Sequence, residues 1–197
     1  MKYLTQVLAM VTAATAQQFD DTFDDLTSNV AAPLTSPVGA YHGLAYKGAV
    51  VLRPKTDLAS LEPHSPAQFA GAFSASDLLQ TGDLKLRSYV TITRDSTVRS
   101  FDFQSFYFGF GTDTATTVGV AQAGVLSVLA YDVNGKQLPV VTFPYAPNRA
   151  TKADLLFAQL PVTFAFLQNV TLAVATSEPI AERTFIGIDD VRHFNHL

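Results

Sequence analysis

Residues 101–110, FDFQSFYFGF, form the most aromatic run in the chain. Apolar side chains occupy both alternating faces, with Phe101 and Phe103 on one and Phe106, Phe108 and Phe110 on the other. Successive strand residues point to opposite sides, so a strand apolar on both must be covered on both. The run is therefore expected to be the central strand of an all-β fold. The reading that suits it is an antiparallel β-sandwich of the jelly-roll type.

The flanking sequence agrees in its periodicity. Leu84–Thr93 is β-branched and alternating, and Arg94–Thr97 turns the chain into the aromatic strand. After a polar loop at Gly111–Thr117, Val118–Asp132 makes one long strand or two. Asn134-Gly135 is a strong hairpin signal before Leu138–Phe143. Asp154–Leu160, Thr163–Phe166 and Asn169–Thr176 read as short strands, Glu178–Glu182 as a turn, and Thr184–Val191 as the last strand. Towards the amino terminus, Gln68–Ser74 alternates weakly, Ser76–Gln80 could form a capped helical turn, and Ala49–Leu52 is a short apolar strand. Phe23–Leu26 reads as the first strand. Thr27–Gly48 and Arg53–Pro66 are rich in proline or glycine and read as loops. About ten short strands with no sustained helical period favour a sandwich in which the first and last strands are neighbours.

The first residues carry a different signal. A basic start at Lys2, an apolar span from Leu4 to Val11 and an Ala14-Thr15-Ala16 ending are the marks of a cleaved signal peptide over residues 1–16. The apolar span is too short to cross a bilayer, which takes about 20 residues. The expectation is a secreted, extracellular product consisting of one domain over residues 17–197. The net charge of −4, with no basic cluster, argues against nucleic acid and anionic lipid as partners. With no cysteine there are no disulfides, so stability must come from burial, which 48% hydrophobic residues can support.

Four groups of residues could carry chemistry. Acidic doublets stand at the two ends, Asp24-Asp25 in FDDL and Asp189-Asp190 in GIDDV. Neighbouring end strands would bring these carboxylates together, and oxygen ligands without His or Cys point to a structural Ca²⁺. The same acids can instead face water or accept from loop N–H groups. Tyr41, His42 and Tyr46, in YHGLAY, could form an aromatic ligand-binding platform on a loop. Alternatively Tyr41 and Leu44 pin that loop to the core and leave His42 exposed. His193-Phe194-Asn195-His196 has the spacing of a metal-binding H-x-x-H, but at a chain end it reads as a frayed tail. Asn169-Val170-Thr171 is a glycosylation sequon. His64, between prolines, has no evident partner. Scattered acids (Asp83, Asp102, Asp113, Asp154) select no pair for glycoside cleavage, and no G-x-S-x-G nucleophile elbow occurs.

The early F-D-D-L, the Y-x-G-L-x-Y segment, the central F-D-F-Q-S-F-Y-F-G and the closing I-D-D-V together resemble a broad group of secreted proteins, many of them fungal. These are similar to galactose-binding-like jelly rolls, the architecture of many carbohydrate-binding modules. The resemblance spans about residues 19 to 192. It implies a structural calcium near the terminal strands, which maps onto Asp24 or Asp25 and Asp189 or Asp190. It also implies a polysaccharide or glycan partner. The tryptophan platform usual in such modules is absent, since the chain has no tryptophan; tyrosine and phenylalanine would have to stack on sugar instead. The expected function is a secreted, non-catalytic binding protein. Its alternatives are an effector-like factor that binds a host or cell-surface protein, and a jelly-roll polysaccharide lyase or hydrolase.

Overall fold

The computed structural model describes residues 16–28, 36–54, 60–73, 88–113, 118–175 and 184–197. These contain strands and loops and no helix. The expected helical turn at Ser76–Gln80, the turn at Glu178–Glu182 and most of the signal segment lie outside them.

The strands are β1 (Ala16–Asp21), β2 (Pro37–Tyr41), β3 (Leu44–Leu52), β4 (Leu61–Glu62), β5 (Phe69–Ala72), β6 (Tyr89–Arg94) and β7 (Ser100–Asp113). They continue as β8 (Val118–Ala121), β9 (Gly124–Asp132), β10 (Val141–Tyr145), β11 (Ala153–Asp154), β12 (Leu156–Gln159), β13 (Leu167–Val174) and β14 (Thr184–His196). All pairs are antiparallel except β4–β11. Following the ladder β13–β6–β3–β5–β14–β7 returns to β13 through a Leu167–Phe101 bridge. That single bridge closes the hydrogen bonds into a six-stranded ring, and β4–β11 form a separate two-stranded sheet. β9 and β10 extend it beyond β13, while β8 and β12 flank β7 and β2 flanks β3.

The chain ends meet as expected. β1 pairs along β14 from Ala16 opposite His196 to Asp21 opposite Val191. The same edge of β14 is continued by β5, with Ile186–Ile188 against Ala70–Ala72. Two boundaries differ from expectation. Phe23–Leu26 is a turn and not the first strand, with Leu26 N–H donating to the Phe23 carbonyl at 3.1 Å. Phe23 adopts φ 62°, and its buried ring packs on Tyr41 and Tyr46. The last strand runs on to His196 where a frayed tail was expected, because β1 and β7 hold its two edges.

The Thr27–Gly48 segment also contains two strands, β2 and the start of β3, joined by the two-residue turn His42-Gly43. Both turn residues have positive φ, 46° and 82°, the backbone of a type I′ hairpin. Glycine here marks a hairpin and not a loop. Thr163–Phe166 is likewise no strand: Phe164 N–H donates to the Pro161 carbonyl at 2.9 Å, and Phe166 sits at φ 53°.

β7 has the predicted central place, but its parity changes midway. Opposite β14 the register slips twice in opposite senses, with one extra residue on β14 at Asp190–Val191 and one on β7 at Gln104. Such a bulge moves an alternating pattern to the other face. All five phenylalanines are consequently buried in one core. Their rings follow one another with centroids 6.5, 5.5, 6.0 and 5.8 Å apart from Phe101 to Phe110. The expectation that Phe101 and Phe103 face away from the other three is thereby corrected. The same bulge turns Asp102 and Gln104 to the outer surface, on the side of Tyr107.

Candidate functional site

The ends of the chain are joined by a buried polar cluster that sequence reasoning missed. β1 places Phe19 and Asp21 on one side, two residues apart. Asp21 is fully buried. The Tyr46 hydroxyl, from β3, donates to its Oδ2. His42 Nδ1 lies 2.7 Å from Oδ1, and His193 Nε2, from β14, lies 3.2 Å from Oδ2. Asn195 ties the cluster together: its Nδ2 donates to the His42 backbone carbonyl at 2.7 Å, and its Oδ1 faces His193 Nδ1 at 2.9 Å. Phe19 stacks on His42 and His193 with centroids at 5.0 and 5.3 Å. Gly43 permits this closeness, since a Cβ there would lie 2.5 Å from Asn195 Nδ2 and 2.8 Å from Val98.

This cluster joins strands and exposes little chemistry. Burial and the Asp21 charge hold the Tyr46 hydroxyl well above its ordinary value, so it remains a donor. Asp21, Tyr46 and His193 are all buried. Of its polar members only the His42 side chain, 37% exposed, reaches solvent. The sequence signals were the alternations Phe19-x-Asp21 and His193-x-Asn195, which gain meaning only once both segments are strands.

Of the expected platform residues, Tyr41 and Tyr46 are therefore core groups and His42 forms the rim. Tyr41 donates to Asp25 Oδ1 at 2.6 Å, and burial and that bond raise its pKa.

The two acidic doublets meet over the loop that leads into β5. Asp24 Oδ1 accepts from Ala67 N and Gln68 N, both at 3.1 Å. Asp189, fully buried, accepts from His64 N and Ser65 N at 2.8 Å and from Ser65 Oγ at 3.0 Å. Ser65 Oγ also lies 3.2 Å from the Thr22 carbonyl, linking the two ends. Asp190 pairs with His64 Nδ1. Burial pushes Asp189 up to about 7, helped by the Asp190 charge and opposed by the Ser65 and Asp190 donors. Each carboxylate is directed at N–H or O–H groups, so as they stand these oxygens do not form a calcium shell. Among the described residues no three His, Asp or Glu side chains are grouped to hold a metal ion.

An exposed surface lies beside this loop. In register across three strands stand Phe157 of β12, Tyr107 of β7 and Asp189 of β14. The loop covers Asp189 and lays the His64 ring on Tyr107, centroids 3.5 Å apart and nearly parallel. Phe157 also meets Tyr107, tilted, with centroids 5.3 Å apart, and is 54% exposed. Outer-face side chains Gln159 and Arg192 continue the surface, Arg192 pairing with Asp20 at 3.3 Å. None of these aromatics was singled out from sequence, where Phe157 resembled any other strand phenylalanine.

Asn169 is the third residue of β13 and half-buried, between Thr93 of β6 and Tyr131 of β9. His193 and His196 of the H-x-x-H do not converge: His193 binds Asp21, while His196 Nε2 lies 2.8 Å from Asp102 Oδ1.

No protein-family model and no curated protein matches the chain. Among solved structures, it is similar to a DUF4465 family protein from Bacteroides caccae at 11% identity, with 97% of each chain covered and a TM-score of 0.49. It is similar to a mutant of a family 29 carbohydrate-binding module at 13% identity, covering 91% of this chain and 92% of that one, TM-score 0.41. An arabinose-bound GH51 α-L-arabinofuranosidase matches at 15% identity over 89% of this chain and 25% of that one, TM-score 0.46. At such identities and scores these likenesses assign neither fold family nor ligand.

Proposed function

We propose that this chain is an exported, non-catalytic β-domain that binds polysaccharide or glycan. The observation that carries the reading is the exposed Phe157 ring, in contact with Tyr107 and flanked by Gln159 on the outer face of β12. Aromatic rings supply a flat apolar surface at low entropy cost, and neighbouring amides and carboxylates can bond hydroxyl groups. The acids whose surroundings are most unusual, Asp21 and Asp189, are buried under structural partners and offer no reacting group to a substrate. The resemblance to secreted jelly-roll proteins agrees with this reading and with export after Ala16.

The test is retention of the wild-type chain on insoluble cellulose, mannan and chitin, with calorimetry on soluble cellohexaose. Binding of at least one is expected, and a Phe157→Ala variant should lose most of it. No retention on any matrix would overturn the reading.

Structural calcium at Asp24, Asp25, Asp189 and Asp190 is a separate part of the proposal, because a cation there must displace donors from Tyr41, His64, Ser65, Ala67 and Gln68. A higher Tm in millimolar calcium than in chelator supports it; equal Tm values reject it and leave glycan binding untouched. Glycosylation at Asn169 is likewise proposed, and the mass of the chain secreted from a eukaryotic host decides it.

A further inference from the structure

The outer surface of β7 and β12 does not end at Phe157. Next along it lies a pocket of about 190 Å³, with Asp102, Gln104 and Gln159 as its polar lining and Val162, Phe164 and Leu160 among its walls. The pocket is preformed. Leu160 N–H donates to the Gln104 carbonyl at 2.8 Å, and Phe103 N–H donates to the Phe164 carbonyl at 2.9 Å. These bonds fasten the 161–166 turn to β7 and fix one wall. Asp102 is held by two donors on a single oxygen: Phe166 N–H and His196 Nε2, each 2.8 Å from Oδ1. The Phe166 ring in turn stacks on His196 at 4.7 Å. Both donors meet the same oxygen of Asp102, and the Asp102 side chain lines the pocket.

We infer that this pocket receives one neutral sugar ring, the terminal unit of a glycan whose next unit lies on Phe157. The inference rests on the glycan-binding reading and specifies its site. Size limits the occupant: drug-sized ligands need about 300 Å³ or more, so about 190 Å³ accommodates a single ring. Polarity suits a hydroxylated ring, because the Asp102 carboxylate and the Gln104 and Gln159 side chains line a space with apolar walls, Gln159 Nε2 being itself held by the Gln104 carbonyl at 3.0 Å. Charge excludes acidic sugars: no Lys or Arg lines the pocket, and Asp102 would repel a uronate or sulfate. Position gives the direction. Phe157 and Gln159 project on the same side of β12, roughly 7 Å apart, so consecutive rings of one chain can meet both. Residues of the 161–166 turn line the pocket beyond Gln159, and the inferred chain ends against them.

The test is calorimetry with cellohexaose, mannohexaose, xylohexaose and oligogalacturonate on the wild type and three variants. Val162 lines the pocket and is 96% exposed, so Val162→Trp adds bulk beside it without disturbing the core. Gln104→Ala removes a polar lining group, and Phe157→Ala removes the platform. The expected result is binding of at least one neutral oligosaccharide, no binding of oligogalacturonate, and affinity about tenfold or more weaker in Val162→Trp and in Phe157→Ala. Blocking the non-reducing or reducing terminus of the bound oligosaccharide should abolish binding for one of the two. If Phe157→Ala loses binding while Val162→Trp and Gln104→Ala retain it, the pocket assignment falls and glycan binding stands. If oligogalacturonate binds, the assignment of a neutral ring falls. If no oligosaccharide binds the wild type, both fall.

Discussion

Asp21 on the first strand and His193 on the last lie 3.2 Å apart, and neither side chain has any exposed surface. The bond joins segments 172 residues apart in sequence, and Tyr46 and His42 converge on the same carboxylate. Removing one partner of such a buried set leaves the others desolvated and unpaired. Asp21→Ala should therefore cost about 3–5 kcal/mol, and Asp21→Asn less, because the amide oxygen can still accept from Tyr46. His42→Ala, at the partly exposed rim, should cost least. Urea denaturation measures all three. An Asp21→Ala variant within about 0.5 kcal/mol of wild type would show that the cluster does not hold the ends together.

Asp189 sets a pH dependence of definite sign. Its folded pKa is raised from 3.8 to about 7, chiefly by burial. A carboxyl group raised on folding favours the folded state fully only below its unfolded value. That contribution is lost as pH rises through about 7, at up to about 1.4 kcal/mol per pH unit. Asp189→Asn removes the titration. Between pH 4.5 and 7.5 the wild type should lose more stability than the variant. Parallel stability profiles would show that the Ser65 and His64 donors have cancelled the effect of burial.

The aromatic core and the aromatic surface should separate cleanly under mutation. Phe106 is fully buried, stacks on Phe103 and meets Phe108 and Phe143. Phe106→Ala should cost about 3–5 kcal/mol. Phe157→Ala, at a 54% exposed position, should change stability by no more than about 0.5 kcal/mol. Thermal melts of the two variants check this, and a comparable loss in both would place Phe157 in the core.

Gly111 leaves room for the Phe185 ring. A Cβ at this position would collide with Phe185 Cε1 and with the buried Ser60 hydroxyl, while Phe185 already stacks on Phe73 at 4.8 Å. Neither ring can retreat easily, so Gly111→Ala should cost about 1–3 kcal/mol. A neutral result in denaturant would mean that this part of the core is looser than its packing implies.

Much of the strand framework was legible because period-two alternation and turn chemistry are local. Val90 and Ile92 face the core while Thr91 and Thr93 face out, and Asn134-Gly135 turns as its residue types require, with Gly135 at φ 76°. The site was far less legible. Tyr41 and Tyr46 had the composition of a platform, yet hydrogen bonds to Asp25 and Asp21 draw them inward. His64 lacked a visible partner because its partners, Asp190 and Tyr107, are distant in sequence.

By itself the sequence determined an all-β chain and the central aromatic strand, since each follows from residue types repeating along the backbone. That the end strands are neighbours was expected only from the sandwich layout, and the strand that meets β14 is Ala16–Asp21, not Phe23–Leu26. Tertiary structure alone decided that the ladder closes into a ring, that a bulge near Gln104 gathers five phenylalanines into one core, and that Phe157 stays in solvent. Those outcomes depend on register between segments far apart in the chain. A one-residue shift in pairing reverses which face is buried, and no local pattern records it.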